Sequence, residues 1–200
     1  MKIHKTIKQG TDEWFTIRSG KMTASHAQEI GNSGKGLQTY VYNLLAEKYS
    51  KADRENFSNS HTERGVELEP IARSMYELEY GVEVEEVGFI EYNKFVGCSP
   101  DGLVGKDGGI EIKCHDDVSH FKLIVNGEDE ISSKYLWQIQ MNLLITGRKW
   151  WDYVAYNPNF EKDILVFRIE PDQKKHNNLL EGFKCGEKII RDIQKKYAKK

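Results

Sequence analysis

No stretch of the 200-residue chain approaches the ~20 consecutive apolar residues that a membrane helix needs. The opening residues, Met1-Lys2-Ile3-His4-Lys5-Thr6, lack the apolar core of a secretory signal. Cysteine is scarce: Cys98, Cys114 and Cys185 are odd in number and show no CxxC spacing. That argues against a disulfide scaffold, favours a reducing cytosol, and falls short of the four thiolates an iron–sulfur cluster usually takes. His61, Cys98, Cys114 and His115 follow no usual zinc spacing. Gly31-Asn32-Ser33-Gly34-Lys35-Gly36 lacks the Gly-x-x-x-x-Gly-Lys-Ser/Thr form of a phosphate loop and reads as a flexible loop. There is no internal repeat. Nor is there an excess of one charge, because the net charge is −2, so the total does not mark a nucleic-acid binder.

The distribution of charge says more than the sum. Residues 1–50 carry 7 basic and 4 acidic side chains, 161–200 carry 11 and 7, and 51–160 carry 11 and 20. An acidic centre between basic ends suits a metal-holding site beside a polyanion track; it equally suits a solvated surface of uneven charge. A composition of 38% hydrophobic and 30% charged residues is that of a soluble globular chain, and its length fits one domain over 1–200.

Apolar spacing predicts helices over 39–49 and 63–80, the second starting near Glu69 because Pro70 suits a first turn. The polar stretch 50–62 reads as a surface loop between them. Short β-rich runs follow at 82–85, 87–92, 95–99 and 110–114, the last entered from an Asp107-Gly108-Gly109 turn. A helix is expected over 133–146, strands over 150–156 and 164–169, and a long lysine-ended helix from Asp172. This order implies an α/β (α+β) fold: a central mixed β-sheet flanked by helices.

The chemistry concentrates in Ser99-Pro100-Asp101-Gly102 and Glu111-Ile112-Lys113. Alternate side chains of a strand share a face, so Glu111 and Lys113 point together while Ile110 and Ile112 face the core. A hairpin places Asp101 beside Glu111. Two carboxylates and an ammonium at one spot suit a hard divalent cation and a phosphate. The same residues also describe a plain Pro-Asp-Gly hairpin with a surface Glu/Lys pair.

Pro-Asp, a spacer and Glu-x-Lys resemble the signature of the PD-(D/E)xK nuclease superfamily, with its restriction-endonuclease-like core. More narrowly, five segments resemble the phage λ-exonuclease, or YqaJ-type viral recombinase, family. They are Trp14 to Ser25 (W-x-x-x-R-x-G-x-x-T-A-S), Gly65 to Ala72 (G-x-x-x-E-x-x-A), Cys98 to Gly102, Gly109 to Cys114, and Tyr135-Leu136-Trp137-Gln138-Ile139-Gln140 (Y-x-x-Q-x-Q).

The resemblance implies a 5′→3′ exonuclease on linear double-stranded DNA with phosphorylated 5′ ends. It would use Mg²⁺, with Mn²⁺ as an alternative, as two ions per site. Asp101, Glu111, Glu69 and the Ile112 backbone carbonyl would hold metal, Lys113 would lie beside the attacking water, and Gln138 would face the site. Arg18, Ser25 and Ser99 would hold the 5′-phosphate, a role suited to an always-charged guanidinium with hydroxyl donors. The same resemblance implies a homotrimeric ring, a single-strand annealing protein as partner, and a phage or prophage product in the bacterial cytoplasm. Taken one at a time, Glu69 also reads as a helix N-terminal acid, Trp14 as core, and Gln138 and Gln140 as surface polar residues. Two other activities remain open from sequence: a structure-specific or endonucleolytic relative, and a non-catalytic DNA-end-binding subunit.

Overall fold

The computed structural model describes residues 1–51 and 60–199. Its elements in chain order are β1 (Lys2–His4), α1 (Asp12–Arg18), β2 (Met22–Thr23), α2 (Ala27–Asn32), α3 (Gly34–Tyr49), α4 (Ser60–Tyr80), β3 (Val84–Glu85), β4 (Phe89–Glu91), β5 (Val96–Cys98), β6 (Gly102–Val104), β7 (Gly108–Cys114), α5 (Asp117–Asn126), α6 (Ser133–Thr146), β8 (Trp150–Tyr156), β9 (Ile164–Ile169) and α7 (Gln173–Tyr197). The expected mixed sheet is divided in two. One sheet has the order β1-β4-β5-β2 and the other β3-β6-β7-β8-β9, and each contains parallel and antiparallel pairs. The division falls at Ser99-Pro100-Asp101, between β5 and β6, where Pro100 has no N–H to donate to a ladder. No helix among the described residues is long and apolar enough to cross a membrane.

Capping explains most helix limits. The Asp116 and Asp172 carboxylates accept N–H bonds from Ser119 (2.8 Å) and Lys175 (3.0 Å) at the starts of α5 and α7. Gly147, at φ 66°, closes α6 with its N–H on the Leu143 carbonyl at 2.9 Å.

Three sequence expectations are corrected. Helix α4 begins by Ser60 rather than near Glu69, and Pro70 lies inside it. Pro70 and Val66 are both exposed, so water can take up the carbonyl that the ring leaves unpaired. Residues 52–59, which include most of the expected 50–62 loop, lie outside the described residues, and Ser60 and Thr62 belong to α4. The segment 31–36 is no flexible loop: α2 passes into α3 across the single residue Ser33, at φ 57°. Gly31 packs there against the Trp137 ring, where a side chain would not fit.

Strand β7 is the centre of the second sheet and is covered on both faces. Ile110 and Ile112 pack with Ala72 and Tyr76 of α4, while the opposite face meets α6. A cluster centred on the buried Asp152 carboxylate fastens α4 down. Asp152 of β8 accepts from the Tyr76 hydroxyl at 2.7 Å and from Arg168 at 2.8 and 2.9 Å, and the Arg168 guanidinium lies 3.8 Å over the Trp150 ring.

Helix α7 rests on α2 through Gly182, whose added Cβ would overlap the Ile30 carbonyl oxygen. In an exposed helix Gly→Ala stabilises by roughly 0.5–1 kcal/mol. Here the neighbour is backbone and cannot swing aside. Gly182→Ala is therefore expected to destabilise by about 1–3 kcal/mol, read as a Tm several degrees lower in thermal unfolding. A neutral or stabilised variant would contradict this helix contact.

Candidate active site

The hairpin of β6 and β7 aligns Gly102 with Ile110, so β6 ends just where β7 carries its chemistry. Beyond that point the Asp101 carboxylate continues the ladder, its Oδ2 accepting the Ile112 N–H at 2.7 Å. This bond holds Asp101 at the strand position of Glu111. Glu111 is fully buried. Its Oε1 accepts from Lys113 Nζ at 2.6 Å and from the Gln138 amide, and its Oε2 accepts from Asn142 Nδ2 at 3.3 Å. Gln138 and Asn142 are one turn apart on α6, which is why both reach one carboxylate.

Glu69 arrives from α4 and pairs with Arg73 at 2.7 Å. The same guanidinium donates to the Asp101 carbonyl at 3.3 Å and pairs with Glu86 at 2.9 Å. Burial, and then the Asp101 charge, push the Glu69 carboxyl up to about 7. Burial and Asp101 likewise raise Glu111. Burial opposes the charge on Lys113, but Glu111 and Asp101 outweigh it and keep the ammonium protonated. Three acids, Glu69, Asp101 and Glu111, thus face two bases, Lys113 and Arg73. Burial first, and the neighbouring acid charge second, lift the two glutamates. No three His, Cys, Asp or Glu side chains among the described residues already stand as a metal cage. Each acid is turned to a protein donor instead. As a donor set, hard carboxylate oxygens with uncompensated charge fit a hard divalent cation.

Of these groups Glu69, Lys113 and Gln138, with Ile112 and Tyr135, line a cleft of about 1020 Å³. A second recess, of about 730 Å³, holds Arg18, Thr23 and Ser25; Ser25 lines both spaces. Arg18 leaves the last turn of α1, lies 3.8 Å over the Trp14 ring and donates to Ser99 Oγ at 3.3 Å. Trp14 is half-buried rather than core, and its indole N–H reaches both Ser99 Oγ and the Gly88 carbonyl at 2.9 Å. Burial lowers Arg18 to about 10, which leaves it charged at neutral pH. Ser25 sits 3.2 Å from the Thr23 hydroxyl.

The YqaJ-like viral recombinase domain matches residues 13–149. Among solved structures, the chain resembles an alkaline exonuclease, LHK-Exo, from Laribacter hongkongensis, with a TM-score of 0.80 and 34% identity over 94% of this chain and 99% of that one. A second structure of that protein, in complex with dAMP, matches equally well. A phage-related exonuclease from Haemophilus somnus 129PT, at 16% identity and a TM-score of 0.68 over 88% and 96% of the two chains, shares the fold. No curated protein matches the sequence. The chain belongs to the YqaJ-like viral recombinase family.

In this YqaJ-like chain, sequence reasoning missed several residues of the site. Arg73 and Asn142 carried no role in it, although Arg73 follows Glu69 by four residues and Asn142 follows Gln138 by four, spacings that put each pair on one helix face. Gln140 is not a surface residue. It is buried and bridges α6 to the approach to α7, donating to the Glu170 carbonyl at 2.8 Å and accepting the Asp172 N–H at 2.7 Å. His115 is a further neighbour of the cleft, hydrogen-bonded to the Tyr153 hydroxyl at 2.7 Å; burial lowers it to about 4, so its ring is neutral.

The raised Glu69 carboxyl has a stability consequence. A carboxyl lifted from about 4.3 in the unfolded chain to about 7 on folding favours the folded state fully below the lower value. That contribution disappears as pH rises through the upper one. Glu69→Gln removes the titration. With chelator present, its Tm relative to wild type should increase between about pH 4.5 and pH 7 and level off above. A constant difference across that range would show that Glu69 is not held up as described.

Proposed function

We propose that the protein is a divalent-metal-dependent 5′→3′ exonuclease that hydrolyses linear double-stranded DNA from phosphorylated 5′ ends. The observation that carries this reading is the joining of two sites along one short segment. Ser99 accepts from Arg18, which lines the recess, and Asp101, two residues on, accepts the N–H of Ile112 between Glu111 and Lys113, the last of which lines the cleft. An anion anchor then lies next to a carboxylate–ammonium centre, which is the arrangement a phosphodiester end requires. The alkaline exonuclease from Laribacter hongkongensis, at 34% identity, supports the activity class, and its complex with dAMP supports a deoxynucleotide ligand.

Under this reading Asp101, Glu111, Glu69 and the Ile112 carbonyl hold Mg²⁺ or Mn²⁺, two ions to a site in the PD-(D/E)xK manner. Such a cation supplies Lewis acidity, stabilising charge on the phosphate and making a nearby water more acidic. The protein's own part is to position and to hold protons. Lys113, kept protonated by its acids, directs an ammonium at the scissile phosphate. Gln138 and Asn142 fix the Glu111 carboxylate, and Arg73 fixes Glu69 against the Asp101 backbone. Arg18 and Ser99, with Ser25 at the junction, hold the terminal phosphate, whose greater charge and free oxygens distinguish it from an internal diester. Family resemblance also supports a homotrimeric ring around the duplex and a single-strand annealing protein as the recipient of the product strand.

Digestion of matched linear and circular duplexes with Mg²⁺ tests the reading: linear DNA should disappear and covalently closed circles should persist. Asp101→Ala and Glu111→Ala should abolish turnover in folded protein. Lys113→Ala should lose roughly 10²–10³ in single-turnover rate while keeping its affinity for DNA in Ca²⁺. Cleavage of closed circles would replace the exonuclease with an endonuclease, and normal turnover by either carboxylate variant would overturn the site.

The end-phosphate reading has its own test. Wild type should favour 5′-phosphate over 5′-hydroxyl duplexes, and Arg18→Ala should lose the preference. Equal digestion of both ends by wild type would remove the phosphate role and leave the nuclease reading standing.

A further inference from the structure

Ser99 and Asp101 are two residues apart, which in extended chain is about 6–7 Å. A phosphate held by Arg18 and Ser99 and a phosphate at Asp101 would therefore be neighbours on one strand, with a single nucleoside between them. Ser25 lines both spaces, so that nucleoside belongs at the Ser25 junction. The residue beside it, His26, lines the recess and plays no part in the phosphate or carboxylate sites.

The His26 ring lies parallel to Tyr40, with centroids 4.1 Å apart and planes at 20°. Tyr40 is buried and its hydroxyl accepts the Thr23 N–H at 3.0 Å, so the lower ring of the pair is fixed. His26 keeps 44% of its side chain exposed. It stands at the start of α2 yet makes no side-chain capping bond, so the helix end does not account for it. Glu29 Oε1 lies 3.6 Å from its Nδ1, and the charges of Lys134 and Arg18 also act on the ring.

An aromatic ring already seated on another, at the rim of a space of about 730 Å³, is suited to stacking a nucleobase. We propose that His26, backed by Tyr40, is the shelf that stacks the base of the 5′-terminal nucleotide. The inference rests on the reading of the Arg18 recess as the end-phosphate site. It adds a grip on the base that is tolerant of base identity, because every base offers a π-face. The terminal nucleotide is then held at two points, phosphate and base, while the next phosphate lies at the carboxylates.

The test measures equilibrium binding in chelator, using a duplex with one unpaired, 5′-phosphorylated terminal nucleotide that is either intact or abasic. The unpaired end removes any difference in duplex fraying. Wild type should bind the intact end about tenfold more tightly. His26→Ala should bind both ends equally, at the abasic level, and His26→Phe should restore the preference. Thermal melts of each variant establish that it is folded. Equal binding of both ends by wild type overturns the shelf, as does a preference that survives in His26→Ala. The same duplexes with 5′-hydroxyl ends separate the two readings. Loss of phosphate preference with the His26-dependent base preference intact removes the phosphate site and keeps the shelf; the reverse pattern removes only the shelf.

Discussion

The hydrogen bond from the Ile112 N–H to the Asp101 carboxylate organises the rest of the site. Strand β6 is only three residues long, and past Gly102 it can no longer pair with β7. An unpaired N–H in the middle of a covered sheet would be costly. Asp101 satisfies it with a side chain, and in doing so places an acid at the level of Glu111. The same junction sends the chain back through Pro100 to Ser99, where Trp14 and Arg18 converge. One backbone donor thus sets the spacing between the carboxylate centre and the guanidinium recess.

The charges around this bond are held at a cost. Glu111 is fully buried, and each of its oxygens is taken by side chains of β7 or α6. Glu69 depends on Arg73, which also reaches the Asp101 carbonyl and so ties α4 to the hairpin. Replacing such a cluster with apolar residues would often be neutral or favourable for stability. Its place in the middle of the sheet fits the proposed reading, in which a cation would neutralise part of the carboxylate charge. The Tyr76–Asp152–Arg168 cluster shows the structural counterpart, in which the buried carboxylate is satisfied by a hydroxyl and a two-pronged guanidinium, without surplus acid.

Much of the architecture was legible because local signals agreed. Helix 133–146 and strands 150–156 and 164–169 fall where period and β-branching place them, between strong stop signals such as Gly147. The reading failed where a local rule met a tertiary exception. Pro70 implies a helix start only if its missing hydrogen bond must be avoided, and the exposed position of Val66 and Pro70 relaxes that demand. The glycines of 31–36 suggest freedom, but Gly31 is needed for close approach to Trp137 and the chain there is helical on both sides of Ser33. Gln140 looked like a surface residue because its two partners, the Glu170 carbonyl and the Asp172 N–H, lie some thirty positions away.

The sequence alone determined which residues share a strand face or a helix face: Glu111 with Lys113, Glu69 with Arg73, Gln138 with Asn142. Those relations follow from periods of two and 3.6 residues and need no knowledge of the fold. Family motifs added the order of the segments. Tertiary structure decided which faces meet. It split the sheet at Pro100, set Arg73 between Glu69 and Asp101, turned Asn142 to Glu111, and laid His26 on Tyr40 in the recess. Contacts between residues tens of positions apart depend on how whole elements pack, and packing is settled by the sum of buried surfaces and satisfied donors, which no local pattern records.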